Sequence, residues 1–471
     1  MLQAMSSVSI DPAIPTPEAL RAARRRIHGW WAFDWASQPY FTLGLTFIFG
    51  PYFAAVATEA FMAQGLAEQA ADARAQSLWS LGQTVAGVII ALCAPILGAF
   101  ADNTGRRMPW IVLFSLFYVL GAAALWFTLP DGSFLVGALI AFGIGLIGAE
   151  FTTIFTNSML PELGEDSAIG RLSGNGFAWG YLGGVLALFI MLIFFAEGES
   201  GRTFVGLEPA LGLDAEAREG TRFVGPFIAI WYVVFMIPFF LWVREARRPA
   251  THARFGAALG ELVRTVKGLP GRVSLFAYLG SSMFYRDALN ALYGFGGTYA
   301  VLVLNWSVTQ VGIFGIIGAV TSALATWLGG KADSRLGPKP VIIGAIVTLI
   351  VVCAVILGMS RESLWGIALA EGSGVPDVVF YICGAIIGGA GGVLQSASRS
   401  MMCRHAPVAR PTEAFGLYAL SGKATAFLGP ALIGVTTWAT ESARLGMAPL
   451  IGLFVLGLVL LVWVRPEGER A

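Results

Sequence analysis

Twelve long apolar segments constrain the fold of this 471-residue chain more than any other feature of its sequence. Each is near 20 residues or longer, which is enough to cross the hydrocarbon core of a bilayer as a helix. They cover residues 30–57, 77–101, 110–129, 132–156, 171–196, 224–243, 274–303, 306–330, 340–359, 376–401, 413–439 and 446–464. Only 13% of the residues are charged, against about 25% in soluble domains. The sequence therefore predicts an all-α polytopic membrane protein with twelve transmembrane helices.

The lysines and arginines predict which side of the membrane each loop occupies. If the N-terminus is inside, 22 of the 30 basic residues fall in inside segments and six fall in outside loops. Cytoplasmic loops of membrane proteins carry such an excess. We therefore expect both termini in the cytoplasm, and a location in the inner (plasma) membrane if the chain is bacterial.

The apolar segments fall into two groups of six, separated by a polar stretch. We expect a cytoplasmic linker at 244–273, within which Phe255, Leu259, Leu262, Val263 and Val266 recur at helical spacing. This pattern predicts an amphipathic helix on the inner membrane surface. The predicted segments are a cytoplasmic N-terminal tail (1–29), a first six-helix bundle (30–243), the linker (244–273), a second six-helix bundle (274–464) and a cytoplasmic C-terminal tail (465–471).

A short charged loop occurs twice, once after the second apolar segment and once after the eighth. The first copy begins at Gly98 and the second at Gly329, roughly half the chain apart. The repeat extends further, because Asp34 aligns with Asp287 and Gly176 with Gly422. A duplication on this scale is typical of transporters built from two related bundles. We expect two six-helix bundles related by an axis along the membrane normal.

The doubled loop resembles the signature loop of the major facilitator superfamily, with the pattern G-x-x-x-D-x-x-G-R-R. This resemblance implies that the loop locks the cytoplasmic ends of the bundles together in one state. An aspartate in it can gain charge-assisted bonds from a helix N-terminus or an arginine. The gating candidates are Gly98, Asp102, Gly105, Arg106 and Arg107 in the first copy, and Asp333, Gly337 and Lys339 in the looser second copy.

A narrower resemblance is to the autophagy-related vacuole-effluxer family. It rests on segments that begin at Trp31 (WAFDWA), Gln395 (QSASRS) and Phe427 (FLGP). Fungal members are described as exporting amino acids from the vacuole, so the resemblance implies amino-acid efflux. The chain departs from the family pattern at Gln38 and Pro39, where a small polar and an apolar residue are expected.

Charged residues inside the apolar segments are the strongest site candidates, because such charges are costly and usually face a cavity or a partner. For Asp34, which lies only a few residues inside the apolar boundary, the alternative to a site role is a capping role at the membrane interface. Lys423 is expected to pair with either Asp34 or Glu150, and a purely structural ion pair is the alternative. Arg286 and Asp287 are adjacent and point in different directions, so each is expected to find a partner on another helix. The full set of substrate and coupling candidates is Asp34, Gln38, Glu150, Tyr285, Arg286, Asp287, Asn290, Gln395, Arg399 and Lys423.

These features predict a secondary active transporter that works by alternating access. Charges beside aromatic rings suit a small zwitterion such as an amino acid, although tryptophans equally suit interfacial belts. Asp34, Glu150 and Asp287 are candidates for proton coupling. Sodium is the alternative coupling ion. A non-transporting sensor or scaffold of the same fold, or a membrane-embedded enzyme, are the alternatives. No metal, cofactor or nucleic-acid partner is expected, and we expect a monomer in the lipid bilayer.

Overall fold

The computed structural model describes residues 16–198, 200–245, 255–370 and 372–469. Within these ranges the protein consists almost entirely of helices, with one small antiparallel hairpin of two strands, β1 (Ser363–Leu364) and β2 (Ile367–Ala368). The helices form twelve crossings, as the apolar segments predict. The predicted class of an all-α polytopic membrane protein is therefore confirmed.

The first half of the chain contributes six crossings. The first is composite, and consists of α1 (Pro17–Pro39), a π-helical segment (Tyr40–Phe47) and α2 (Phe49–Ala63). The others are α3 (Glu68–Thr104), α4 (Met108–Ala124), α5 (Leu135–Asn157), α6 (Asp166–Phe194) and α8 (Val224–Trp242), with the short α7 (Glu219–Arg222) before the last.

The second half repeats this arrangement after a linker helix, α9 (Phe255–Gly268). Its crossings begin with α10 (Val273–Leu304), α11 (Val308–Leu336), α12 (Pro338–Leu357) and α13 (Val375–His405). The eleventh is divided into α14 (Pro411–Ala424) and α15 (Leu428–Thr440). The short α16 (Ala443–Gly446) then leads into the twelfth crossing, α17 (Ala448–Leu460).

Ten of the described helical segments are long and apolar enough to cross a membrane by composition alone. The seventh and eleventh crossings fall outside that group for physical reasons that bear on function. Helix α10 carries Arg286 and Asp287 in its interior, and the eleventh crossing carries Lys423 and is interrupted.

Helix α1 begins well before the predicted start of the first crossing at residue 30. Thr16 caps it by accepting a hydrogen bond from the Ala19 N–H at 3.2 Å, and Pro17 occupies the first turn, where its missing N–H costs nothing. Much of the predicted N-terminal tail is thus a basic extension of the first crossing. Residues 1–15 of that tail lie outside the described residues.

Two crossings that the sequence analysis treats as continuous are interrupted, and that expectation is wrong. The first crossing changes to π-helical geometry after Pro39, and the eleventh breaks between Ala424 and Leu428. Pro430 favours the second break, because a proline ring clashes with the carbonyl four residues earlier and is tolerated in the first turn of a new helix.

The two halves meet along α3 with α14 and along α6 with α11. Glycines allow this approach near the predicted cytoplasmic ends. A methyl group at Gly98 would lie 2.6 Å from the Thr412 carbonyl oxygen, and one at Gly174 would lie 2.5 Å from the Gly330 Cα. Without a hydrophobic force between helices in lipid, such close backbone packing is a main source of association.

Part of the predicted linker forms the expected helix. Helix α9 packs against α3, with Leu262 buried and with Val263 and Val266 exposed. Phe255 and Leu259 lie in this helix, but their side chains are not described. Residues 246–254 lie outside the described residues. The location of α9 on the membrane surface stays a prediction.

Candidate functional site

An ion pair between Asp34 and Arg399 joins the two bundles. Asp34 lies on α1, and both terminal nitrogens of Arg399 on α13 reach its carboxylate, at 3.0 to 3.1 Å. The same guanidinium donates to Asn157 Oδ1 at 3.1 Å and to Ser173 Oγ at 2.9 Å. The Arg399 side chain is 3% exposed and that of Asp34 is 12% exposed. Asp34 is therefore an inter-bundle link and not an interfacial cap.

A second ion pair crosses between the bundles at Glu150 and Lys423. The Lys423 Nζ on α14 donates to Glu150 Oε1 on α5 at 2.8 Å. Of the two carboxylates considered for Lys423, the structure selects Glu150. Both side chains keep 20% to 29% of their surface exposed, so this pair is more accessible than the pair of Asp34 and Arg399.

Arg286 faces α14 and forms no ion pair with a described carboxylate. Its Nη1 donates to the Tyr418 carbonyl oxygen at 3.0 Å, and its Cζ lies 4.2 Å from the centroid of the Tyr418 ring. Gly422 makes room for the guanidinium, because a methyl group there would lie 2.5 Å from Cζ. As expected for adjacent residues on a helix, Arg286 and Asp287 have different partners.

Asp287 faces the interruption of the eleventh crossing. The Gly429 N–H, in the first turn of α15, donates to its Oδ2 at 3.0 Å, while Oδ1 has no hydrogen-bond partner among the described residues. The residue is 1% exposed. The positive end of the α15 dipole stabilises the carboxylate. Asp34 and Asp287 are thus equivalent in the repeat but not in environment, since only Asp34 has a cation.

The other predicted site residues take different positions. Gln395 on α13 donates to the Tyr181 hydroxyl on α6 at 3.2 Å, which is a further link between the bundles. The buried Tyr285 hydroxyl lies 2.7 Å from Ser398 Oγ inside the second bundle, so it supports packing there. Asn290 is exposed. Gln38 lies 3.5 Å from Thr42 Oγ1 at the start of the π-helical segment.

Four residues that contact these groups were not predicted: Asn157, Ser173, Tyr181 and Tyr418. Tyr181 lies within the row of glycines at 176, 180 and 184, and Asn157 and Tyr418 lie in segments that resemble the vacuole-effluxer family, but none of these signals indicates a contact between helices. Those glycines receive α1 and the start of the π-helical segment. The role of each of the four residues depends on which helix lies opposite.

Asp102 of the first charged loop caps a helix of the opposite bundle. Its carboxylate accepts hydrogen bonds from the backbone N–H of Thr412 at 3.3 Å and of Glu413 at 2.8 Å, in the first turn of α14. These N–H groups have no partner within the helix, so the carboxylate both satisfies them and complements the helix dipole. The expected partner of a helix N-terminus is therefore found across the bundle interface.

The two arginines of the first loop do not cross to the second bundle. Buried Arg107 binds Glu162 and the Ser158 carbonyl oxygen in the first bundle, and Glu245 at the start of the linker. Burial opposes its charge, but the two glutamates outweigh this and raise the pKa of Arg107 above its ordinary value. The Arg106 side chain is exposed. In this conformation, neither Arg106 nor Arg107 forms a described hydrogen bond or ion pair with the second bundle.

The second loop also contacts the opposite bundle. Asp333 is buried, and its carboxylate group packs against Gly170 of α6, while Ser334 Oγ accepts a hydrogen bond from the Arg171 N–H at 2.8 Å. Lys339 instead donates to the Val464 carbonyl oxygen at 2.8 Å within its own half.

The glycines that end the two loop helices share one backbone property. Gly105, after α3, has φ +67°, and Gly337, after α11, has φ +82°. Glycine reaches these angles without the penalty that other residues incur. The repeated glycine is therefore a helix stop.

No cluster of three or more metal-ligating side chains occurs within the part of the chain that the structure describes. The four cysteines, Cys93, Cys353, Cys383 and Cys403, are free. The described polar contacts between the bundles are formed by ion pairs, amides and hydroxyls.

Solved structures with the same arrangement of helices are transporters. The crystal structure of the human organic anion transporter MFSD10 (TETRAN) matches with a TM-score of 0.69 and 16% identity, covering 95% of this chain and all of that one. The proton:xylose symporter XylE, bound to 6-bromo-6-deoxy-D-glucose, matches with a TM-score of 0.66 and 13% identity, covering 96% and 97%. This chain therefore has the fold that these transporters share.

The family follows from the sequence. Residues 22–470 match the family described as "Vacuole effluxer Atg22 like", and the chain belongs to that family. The "Uncharacterized MFS-type transporter YxiO" of Bacillus subtilis (strain 168) is 25% identical over 450 residues, 93% of this chain and 95% of that protein. "Autophagy-related protein 22-1" of Aspergillus clavatus is 26% identical over 333 residues, 67% of this chain, and the match spans about half (52%) of the fungal protein.

Proposed function

We propose that this transporter is a secondary active transporter that moves a small solute by alternating access. The supporting observation is that the bundles are joined by reversible polar contacts concentrated at one end and in the middle. Asp102 binds the first turn of α14, and Asp34 binds Arg399. These contacts hold one conformation and must break in the other, which is the kind of two-state interface that rigid-body switching requires.

The solute we propose is an amino acid or a related zwitterion, and the proposed direction is export. The groups between the bundles include both signs of charge, at Glu150, Lys423 and Arg286, together with the ring of Tyr418. The family's description as a vacuole effluxer supports export as the direction of transport. The carboxylate of such a solute needs a cation, and its ammonium group needs an acceptor. Arg286 and Lys423 are the cations here, and Glu150 is an acceptor that Lys423 holds in this conformation.

The proposed coupling ion is a proton that binds Asp287. A buried carboxylate without a cation is costly to keep ionised, and Asp287 forms no ion pair with the described residues. Asp34 and Glu150 are each neutralised by a basic partner. Sodium is the alternative ion, and a pH-independent but sodium-dependent flux would favour it.

The predicted orientation and organisation remain proposals. We propose that both termini and the loops after α3 and α11 face the cytoplasm, that the protein lies in the plasma membrane if the chain is bacterial, and that it acts as a monomer. The bundles are assigned to 30–243 and 274–464, joined by the linker 244–273. Impermeant labelling of single cysteines at Arg106 and Arg202 would test the orientation, because the two positions should react from opposite sides.

Transport itself is tested with the purified protein. A thermal-shift screen against amino acids and small peptides identifies solutes, because a ligand of the folded state raises the melting temperature. Counterflow of each hit is then measured in proteoliposomes across a range of external pH. We expect Asp34→Asn combined with Asp287→Asn to abolish the pH dependence and most of the flux. Unchanged flux and pH dependence would refute the proposal, and binding without flux would favour a sensor.

A further inference from the structure

Arg286, a basic side chain between the bundles, forms no direct ion pair with the described residues. Arg399 is neutralised by Asp34, and Lys423 by Glu150. The carboxylate of Asp287, next to Arg286 in the chain, points to the Gly429 N–H and forms no ion pair with the guanidinium. Arg286 thus has no direct ion-pair partner among the described residues, and Glu150, which is near enough to act on its charge, is bound by Lys423. Such a charge within a membrane span is expensive unless it has a function or a partner.

The guanidinium of Arg286 is positioned on one side and free on the other. Nη1 donates to the Tyr418 carbonyl oxygen, and the Tyr418 ring lies under Cζ. The Nε and Nη2 atoms form no hydrogen bond with the described residues, and neither atom is fully buried. Both therefore keep some exposed surface, on a side chain that is half-buried overall. This edge of a guanidinium presents two parallel N–H groups, and that fork matches the two oxygens of a carboxylate.

The surface of α10 next to Arg286 is polar and accessible. Asn290 and Tyr293 lie one and two turns further along the same face of the helix. Asn290 is exposed and Tyr293 is 41% exposed. Tyr293 also reaches Gly391 on α13, and the neighbouring Gln395 binds Tyr181 of the first bundle. The free edge of Arg286 thus belongs to a polar face that lies near the contact between the bundles.

We propose that Arg286 binds the carboxylate group of the transported solute, and that an amino group on the solute is not required. Carboxylates are the natural acceptors for an ammonium group, but Asp34 and Glu150 are already held by Arg399 and Lys423. The substrate class is therefore organic carboxylates, and amino acids are accepted through their carboxylate end. This inference rests on the proposed transport function and narrows its substrate class.

The test compares acids with their amides, which share a shape and differ in charge. The probes are propionate with propionamide, 4-methylpentanoate with 4-methylpentanamide, and leucine with leucinamide. Binding to the purified full-length protein is measured by thermal shift and by titration calorimetry at pH 7. We expect at least one acid to bind, and each such acid to bind more tightly than its amide.

Substitutions at Arg286 show whether the guanidinium is responsible. Arg286→Gln should weaken acid binding by about ten- to a hundredfold, the equivalent of losing charge-assisted hydrogen bonds, without changing the binding of amides. Arg286→Lys keeps the charge but not the fork, and should recover part of the affinity. Arg202→Gln, at an exposed arginine in the loop after α6, is the matched control and should have no effect. The melting temperature without probe identifies a variant that fails to fold, and the lysine variant then decides.

Three results would overturn the inference: equal binding of acids and amides, acid binding that survives in Arg286→Gln, or no binding of any of the acids. Failure of the transport proposal is a separate outcome. If an acid binds through Arg286 but shows no counterflow, the binding site stands and transport fails. If a neutral solute is transported unchanged by Arg286→Gln, transport stands and the carboxylate site fails.

Discussion

Three acidic residues between the bundles differ in how their charges are balanced, and this difference sets what each can do. Asp34 and Glu150 each have a basic partner on the opposite bundle. Asp287 instead accepts a hydrogen bond from a backbone amide within its own bundle. Removal of one member of a buried pair leaves the other without compensation, which is more costly than the pair itself is favourable. The paired residues are therefore suited to act as links between the bundles, and Asp287 to bind an ion.

The first prediction concerns the link at Asp34. Asp34→Asn should lower the melting temperature clearly, because Arg399 then stays buried without its carboxylate, a loss of about 3–5 kcal/mol when one partner of a buried pair is removed. Thermal unfolding of the purified variant measures this. Arg399→Gln in the same background should lower the melting temperature by less than the sum of the single effects. An unchanged melting temperature in Asp34→Asn would show that the pair contributes nothing.

The second prediction concerns the cap at Asp102. Asp102→Ala removes a carboxylate from two helix N–H groups, which costs about 0.5–2 kcal/mol for a helix cap. The closed end should therefore open more often, and a cysteine placed at Thr412 should react faster with a maleimide. Arg106→Gln in the same loop is the matched control, because its side chain is exposed. Equal labelling rates in the two variants would contradict the capping role.

At the scale of helices, the interruptions place polar backbone next to the candidate residues. The π-helical segment follows Asp34 and Gln38 directly, and the break before α15 faces Asp287. Irregular backbone at membrane depth is tolerated where it lines protein or a polar cavity, and π segments are often found at functional sites. Transporter helices commonly break beside the substrate and ion sites. The first and eleventh crossings are thus the elements that carry the proposed chemistry.

The third prediction tests the close approach of α6 and α11. Gly174→Ala should hinder closure of this end, because the added methyl group would lie 2.5 Å from the Gly330 Cα, and backbone cannot move aside cheaply. Flux of a solute found in the screen should fall severalfold. The control is Gly87→Ala in α3, where nothing lies within 4 Å of the added methyl group and alanine favours the helix. Equal effects of the two substitutions would show that helix propensity, not packing, is responsible.

At the scale of the whole molecule, contacts between the halves cluster at the end that carries the charged loops. Asp102 with α14, Ser334 with Arg171, and Ser158 with Thr412 all lie there. Each is a hydrogen bond between groups that water can also satisfy, so exchange costs little net free energy. The described conformation is therefore closed at this end, and the opposite state requires these contacts to separate together.

The fourth prediction tests that separation. Ser158 Oγ and Thr412 Oγ1 lie 3.2 Å apart on opposite halves, so Ser158→Cys with Thr412→Cys should place two sulfur atoms within reach of a disulfide. Oxidation should abolish flux, and a reductant should restore it. Each single substitution is a control, and the native cysteines are replaced by serine first. Full flux with the disulfide formed would mean that this end does not open during transport.

The sequence predicts the helices well and the side-chain contacts between helices poorly, for a physical reason. Each crossing was evident because its length and apolar character are local properties. The sequence does not decide whether Lys423 pairs with Asp34 or with Glu150, because that choice depends on how the helices are arranged. Asp34 and Arg399 were both candidates but were not paired, since 365 residues separate them. The break at Ala424 was missed because the neighbouring apolar residues continue through it.

The sequence by itself determined the twelve crossings, the duplication and the family, because hydropathy, internal repeats and motifs are read along the chain. The tertiary structure alone decided which charges neutralise each other and which remain. Asp34 and Asp287 are equivalent by repeat, yet only Asp34 meets an arginine, because α13 carries Arg399 to it across the interface. Arg286 is left without a carboxylate for the same reason. Whether a charged residue links the bundles, as Asp34 does, or is available to bind a solute, as we propose for Arg286, depends on distances between helices. No local sequence pattern encodes those distances.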